Sequence, residues 1–288
     1  MQQLKSFFIY FLESILLLPT KIFFPRKPNT PLQLKNNQSS RENGFFYLSR
    51  DFFNKTSKKI HSIFNEDKIW DLINKNLDNK ENELSNKYMI NLTNSKYLSA
   101  EEKIDIKNLI SNNEELNKEI SHTLGYKCIP SDVHLILNHY CRDSREEEGS
   151  KLWHRDNSAI NGQFKLFYVL NKIDIDDGGQ FYFLPLKSFD KNKAFQKKDD
   201  KNININSWYR YRYTNKDINK YKDLTNEVKV YPNKFDDDAL VIDTNNCYHK
   251  GGYIKSDRSY RLLLMIIFDP AFGITDQNKL KNLRKIFS

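Results

Sequence analysis

From Cys128 onward the chain stops reading as helix. "DVHLILNHY", "FKLFYVL", "GQFYFLP", "WYRYRYT", "EVKVYP", "ALVIDT" and "RLLLMIIF" are short runs rich in aromatic and β-branched residues, separated by turn-forming pieces such as "DIDDGG" and "PNKFDDD". Side chains of this kind fit a pleated, half-buried surface, and many short strands joined by turns make a sandwich or a small barrel. Two runs, "FKLFYVL" and "RLLLMIIF", are apolar at consecutive positions instead of alternate ones. That predicts strands buried on both faces, as in a jelly roll with helices laid over one side. An aromatic fraction of 14% supplies bulk for such a core beside a modest hydrophobic fraction of 39%.

Upstream, from about Asp51 to Gly125, the signal is helical. In "LSAEEKIDIKNLISNNEELNKEISHTLGY", Ser99 is placed to cap a helix with acids in its first turn. Ile106, Leu109, Ile110, Leu116, Ile120 and Leu124 share a stripe, and Gly125 ends it. Residues 26–44 carry a linker-like mix of Pro, Asn, Gln and Ser. Three parts are expected: an apolar N-terminal helix and linker (1–44), a helical support region (45–125) and a β core (126–288).

The N-terminal stretch "SFFIYFLESILLLPTKIFF", residues 6–24, is interrupted by Glu13, Pro19 and Lys21. Its clean apolar runs fall short of the roughly 20 residues a spanning helix needs, and it lacks the small-residue cleavage site of a signal peptide. Two expectations stay open for it: peripheral contact with a membrane interface, or docking on the domain's own surface. The net charge of +9 is spread among asparagines and acids without a sustained basic run, so no nucleic-acid partner is expected. Three cysteines, an odd number without C-x-x-C spacing, argue against a disulfide framework or a zinc knuckle and for a reducing, cytoplasmic setting.

"KLWHRDN" raises the question of chemistry. In an extended strand residues two apart project from one face, so His154 and Asp156 point together while Trp153 and Arg155 point the other way. An H-x-D pair alone is a weak signal and needs a further histidine at a strand end. "ALVIDTNNCYHKGG" supplies His249 after a strand and a turn, followed by two glycines. Two histidines and one carboxylate form a facial triad that leaves one side of an octahedral Fe(II) open for a cosubstrate and oxygen.

These segments resemble a known family. "LWHRDN…FKLFYVLNKIDIDDGGQFYFLP" and "DDDALVIDTNNCYHKGG…RLLLMIIF" are similar to the proximal and distal motifs of the phytanoyl-CoA dioxygenase-like branch of the Fe(II)/2-oxoglutarate oxygenases, over roughly residues 126 to 270. Two departures stand out. Pro185, Leu186, Lys187 and Ser188 replace the family's P-G-S-H, and Gly178-Gly179 stands where Gly-Pro is common.

The resemblance implies a double-stranded β-helix of the jelly-roll or cupin type. It implies iron held by His154, Asp156 and His249, with 2-oxoglutarate as cosubstrate, O2 and a small-molecule substrate. The reaction implied is hydroxylation of a small or amphiphilic compound, because a carboxylate stands at Asp156 where related halogenases have a small residue. The cosubstrate's distal carboxylate needs a buried cation with a fork geometry. Arg258 and Arg261 differ by an odd number, so one strand can turn only one of them inward. Arg261 opens "RLLLMIIF" as the family's arginine opens its last core strand, and is the choice here. Lys165 and Tyr140 are further candidates for contact with the cosubstrate, Lys165 equally for a rim position with its ammonium in water.

Other readings stay open beside this one: a non-catalytic jelly-roll binding module, and an oxygenase acting on a macromolecule, which the charge permits but no motif demands. His134 and His139 read as satisfied core or surface histidines, His61 and His122 as surface residues.

Overall fold

The computed structural model describes residues 43–78, 88–94, 96–124, 127–142, 149–156, 163–192, 195, 212–232 and 238–270. The apolar segment 6–24 and most of "WYRYRYT" lie outside them. Nine strands are described: β1 (Phe45–Leu48), β2 (Met89–Asn91), β3 (Cys128–His139), β4 (Phe164–Val169), β5 (Phe181–Phe183), β6 (Lys229–Tyr231), β7 (Ala239–Ile242), β8 (His249–Gly251) and β9 (Tyr260–Pro270). They form a six-stranded antiparallel sheet, ordered β1-β7-β4-β9-β3-β2, and a three-stranded one, ordered β6-β5-β8. Helices α1 (Asn54–Ile63), α2 (Glu66–Asp78), α3 (Ala100–Ser111) and α4 (Glu114–Leu124) precede β3. The short helices α5 (Leu186–Lys191), α6 (Asn215–Asn219) and α7 (Lys222–Thr225) follow β5.

Strand alternation sorts the core into layers. On the six-stranded sheet Leu135, Leu137, Leu166, Tyr168, Ala239, Val241, Leu262, Leu264, Ile266 and Phe268 face outward and are buried with Ile60, Ile69, Ile106, Ile110, Leu116 and Ile120 of the helices. The alternate positions Phe167, Leu240, Ile242 and Leu263 face inward and pack with Phe181, Phe183 and Tyr231 of the three-stranded sheet. This explains the unbroken apolar runs: one face meets helices and the other meets the opposite sheet. The outer face of the three-stranded sheet is sealed separately by Trp153, Leu184, Phe195, Tyr213, Ile218, Leu224 and Tyr248. The fold is mainly β, a double-stranded β-helix with helices on one side.

The helical half departs from the expected pattern in two places. The stripe from Ser99 to Leu124 is two helices, not one. Ser99 caps the first in a reciprocal capping box with Glu102, while Asn113 accepts from the Leu116 N–H at 3.0 Å to start the second. The "NNEE" that does this is itself a cap signal, Asn followed by acids in the first turn. Strands β1 and β2 also arise within the stretch read as helical support, "FFYL" pairing with β7 and "MIN" with β3. Both are short edge strands, too brief for a period to register. Among the described residues no helix is long and apolar enough to cross a membrane.

Candidate metal centre

His154, Asp156 and His249 come together. One donor atom from each lies within 4.8 Å of the others. The Nε2 atoms of His154 and His249 stand 3.9 and 3.8 Å from the two oxygens of Asp156. Donors about 2.1 Å from a divalent ion sit roughly 3 to 4 Å apart, so the set fits such an ion with a small inward adjustment. The local backbone explains the convergence. His154 and His249 form an antiparallel bridge, each N–H donating to the other's carbonyl at 2.9 Å. That register puts both rings on one face, their centroids 4.4 Å apart.

The same alternation sends Trp153, between Leu152 and His154, outward. There it bridges Tyr213, and its indole N–H donates to Asn215 Oδ1 at 3.0 Å. Asp156 is set by the turn after β7, its N–H donating to the Thr244 carbonyl at 2.8 Å. That turn is closed by Asp243, whose Oδ1 accepts from the N–H groups of Asn245 and Asn246 at 3.1 Å each. "DTNN" is thus an Asx turn that fixes Asp156 and His249 from one place.

Ring orientation is fixed by carbonyl oxygens, which only accept. Nδ1 of His154 lies 2.7 Å from the Leu152 carbonyl and Nδ1 of His249 lies 3.1 Å from that of Cys247. Each Nδ1 therefore carries the proton, leaving an Nε2 lone pair aimed inward. Burial first, and the second imidazole next, push His154 down to about 3; burial likewise lowers His249. Both are neutral at physiological pH, the form that binds metal. Burial alone would raise Asp156, but its electrostatic interactions with His249 and Lys165, with hydrogen bonds from Lys165 and Thr244, hold its carboxyl below the ordinary range. Phe181 covers the site's inner side, its ring stacked on His249 at 5.4 Å.

Polar residues on the inward parity of the six-stranded sheet include Lys165 on β4, Asn138 on β3 and Arg261 on β9. Lys165 Nζ donates to Asp156 Oδ2 at 2.6 Å. Arg261 is buried, in register with Asn138, and its fork donates to Asn138 Oδ1 and to the Gly179 carbonyl. These acceptors are neutral, and among the described residues no carboxylate pairs with this guanidinium; burial pushes it down to about 10, still cationic at neutral pH. Arg258 is exposed in the turn before β9. Tyr140 follows β3 and meets Tyr253 edge-on at 6.2 Å. Asn138 and Thr244 were not legible as site residues. The available signal for Asn138 was a polar side chain following the apolar run Leu135–Leu137, in the parity of Ile136.

The glycines have separate jobs. Gly178 and Gly179 have φ of +83° and +80°, and a Cβ on Gly178 would stand 2.2 Å from the Tyr253 carbonyl. Gly252 lies against Gln180, where a Cβ would stand 2.3 Å from the backbone oxygen. "DDGG" and "HKGG" are therefore packed backbone to backbone, which places Gly179 O under Arg261. At the other end of β5, "PLKS" is the start of α5.

No protein-family model matches this chain, and no curated protein matches its sequence. Among solved structures it is similar to the non-heme alpha ketoglutarate dependent carbocyclase SnoK from nogalamycin biosynthesis. That alignment has 11% identity and a TM-score of 0.50, and covers 88% of this chain and 93% of SnoK. HygX from Streptomyces hygroscopicus, solved with nickel and 2-oxoglutarate bound, aligns at 10% identity and a TM-score of 0.49, covering 84% of this chain and 88% of HygX. AviO1 from Streptomyces viridochromogenes aligns at 15% identity and a TM-score of 0.46, covering 84% and 96%. The likeness to SnoK is one of fold and extends over most of both chains.

Proposed function

We propose that this chain is an Fe(II)/2-oxoglutarate-dependent oxygenase of the phytanoyl-CoA dioxygenase-like type, hydroxylating a small or amphiphilic organic substrate. The observation that carries the reading is the convergence of His154, Asp156 and His249, with two proton-free Nε2 atoms and a carboxylate directed at one point inside the double-stranded β-helix. The donor set, two imidazoles and one carboxylate, fits Fe(II) and leaves coordination positions for a chelating cosubstrate. When bound, iron supplies the oxidation of 2-oxoglutarate to succinate and CO2 and the activation of O2.

The chain's own residues supply the setting. Leu152 and Cys247 carbonyls hold the two tautomers. Phe181 and the inward apolar side chains keep water from the site. Arg261 binds the distal carboxylate of the cosubstrate: a buried guanidinium whose acceptors among the described residues are neutral is costly unless an anion joins it.

The test is anaerobic addition of Fe(II) and 2-oxoglutarate to apo-protein. The expected result is the weak visible charge-transfer band of the iron chelate, abolished by His249→Ala and weakened by Arg261→Ala. A folded wild type that gives no band overturns the reading and leaves a jelly-roll binding module.

A further inference from the structure

Lys165 occupies the carboxylate that a metal would need. Its ammonium lies 2.6 Å from Asp156 Oδ2, and that oxygen lies 3.8 Å from His249 Nε2, on the edge where an ion would sit. The pair is well shielded, with side-chain exposures of 18% and 26%. A divalent ion bound by Asp156 would therefore have a positive charge as near neighbour, in surroundings that screen poorly. Among the described residues the carboxylate of Asp156 faces the cation Lys165, with Arg212 acting on both histidines and Arg261 further along the inner face. A bare divalent ion adds to that excess of positive charge, and a dianion removes it.

We infer that Lys165 makes metal binding conditional on the anionic cosubstrate. In the free protein it pairs with Asp156 and holds down the affinity for the bare ion. When the dianion enters, the ammonium is shared with it, Asp156 is released to the metal, and ion and dianion bind with positive coupling. By linkage the coupling acts equally on both affinities. Lys165 is a positioning residue here, acting through Asp156 and not on the substrate. The inference rests on the metal reading above.

The experiment is Mn(II) binding, followed by loss of the free aqueous EPR signal, with and without 2-oxoglutarate, in wild type, Lys165→Met and Lys165→Arg. Circular dichroism confirms that each variant is folded, and Lys165→Gln replaces Lys165→Met if the latter is not. In wild type, 2-oxoglutarate should tighten Mn(II) binding about 10-fold or more, within the usual range of site coupling. Without 2-oxoglutarate, Lys165→Met should bind Mn(II) about 10-fold tighter than wild type, and its coupling should fall below about 3-fold. Lys165→Arg, which keeps the charge, should behave as wild type. Unchanged or weaker binding of bare Mn(II) to a folded Lys165→Met, with coupling intact, overturns the inference while leaving the metal centre standing. No Mn(II) binding to wild type under either condition overturns the metal reading instead.

Discussion

Two nitrogens of Arg261, Nε and Nη2, donate to the same acceptor, Asn138 Oδ1, at 3.2 and 2.7 Å across the β3–β9 ladder. Asn138 thus orients the fork without neutralising it. Replacing it by aspartate adds the missing counter-charge at the same spot. Asn138→Asp is expected to raise the melting temperature and to weaken 2-oxoglutarate binding at least about 10-fold, since each charged hydrogen bond forgone by the ligand is worth about 1.5–3 kcal/mol. Calorimetric titration of Mn(II)-loaded protein with 2-oxoglutarate checks this. Undiminished affinity would show that Arg261 is structural.

Gly178 should not tolerate a side chain. At φ +83° with the Tyr253 carbonyl 2.2 Å from the added Cβ, Gly178→Ala combines left-handed strain with a backbone clash. A loss of about 2–4 kcal/mol is expected, read as a shift in the urea midpoint. The β5 and β8 ends would separate with it, so 2-oxoglutarate affinity should fall in parallel.

Removing the Asx turn should affect metal binding more than folding. Asp243→Ala deletes the acceptor for the Asn245 and Asn246 N–H groups, in the turn that positions both Asp156 and His249. Mn(II) affinity is expected to drop about 10-fold for a stability loss of about 1–3 kcal/mol. An unchanged Mn(II) affinity would mean that the strands hold the donors without the turn.

Acid should destabilise the metal-free protein early. Burial first of all lowers His139, His154 and His249 below their ordinary value of 6.5, His154 to about 3. A depressed folded-state value means that the unfolded chain takes up protons the native state refuses. The stability these groups contribute is therefore full above pH 6.5 and is lost as pH falls below it. Each histidine adds a slope of up to about 1.4 kcal/mol per pH unit. Asp269, whose carboxyl is raised by burial, works in the opposite sense. Urea unfolding in EDTA at pH 7.5, 6.5 and 5.5 should show the decline, and a flat profile would contradict the buried-neutral assignment.

Much of this was legible from residue types and spacing because the chemistry obeys strand parity. "WHRD" alternates out and in, so Trp153 seals the outer face while His154 enters the site, and "CYHK" repeats the pattern through Tyr248 and His249. Arg261 is inward and buried on β9, while Arg258 lies exposed in the turn before that strand, so strand parity does not decide between them. What local pattern could not carry was pairing across the sheet. Asn138 meets Arg261 only because β3 and β9 are in register, and Lys165 finds Asp156 from a neighbouring strand instead of reaching the rim. Of the two glycines after His249, Gly251 lies in a strand and Gly252 makes room for the Gln180 backbone, which no local pattern could show.

The last described strand lies at the middle of the larger sheet, between β4 and β3. On the ribosome, β3 and its helical cover must wait for β9, more than 120 residues after β3 begins, with apolar edges open meanwhile. The nascent chain is thus exposed to mispairing until β9 has been made. The strand that ends this delay also brings Arg261. Products cut short before residue 260 should therefore be insoluble fragments and not smaller versions of the protein.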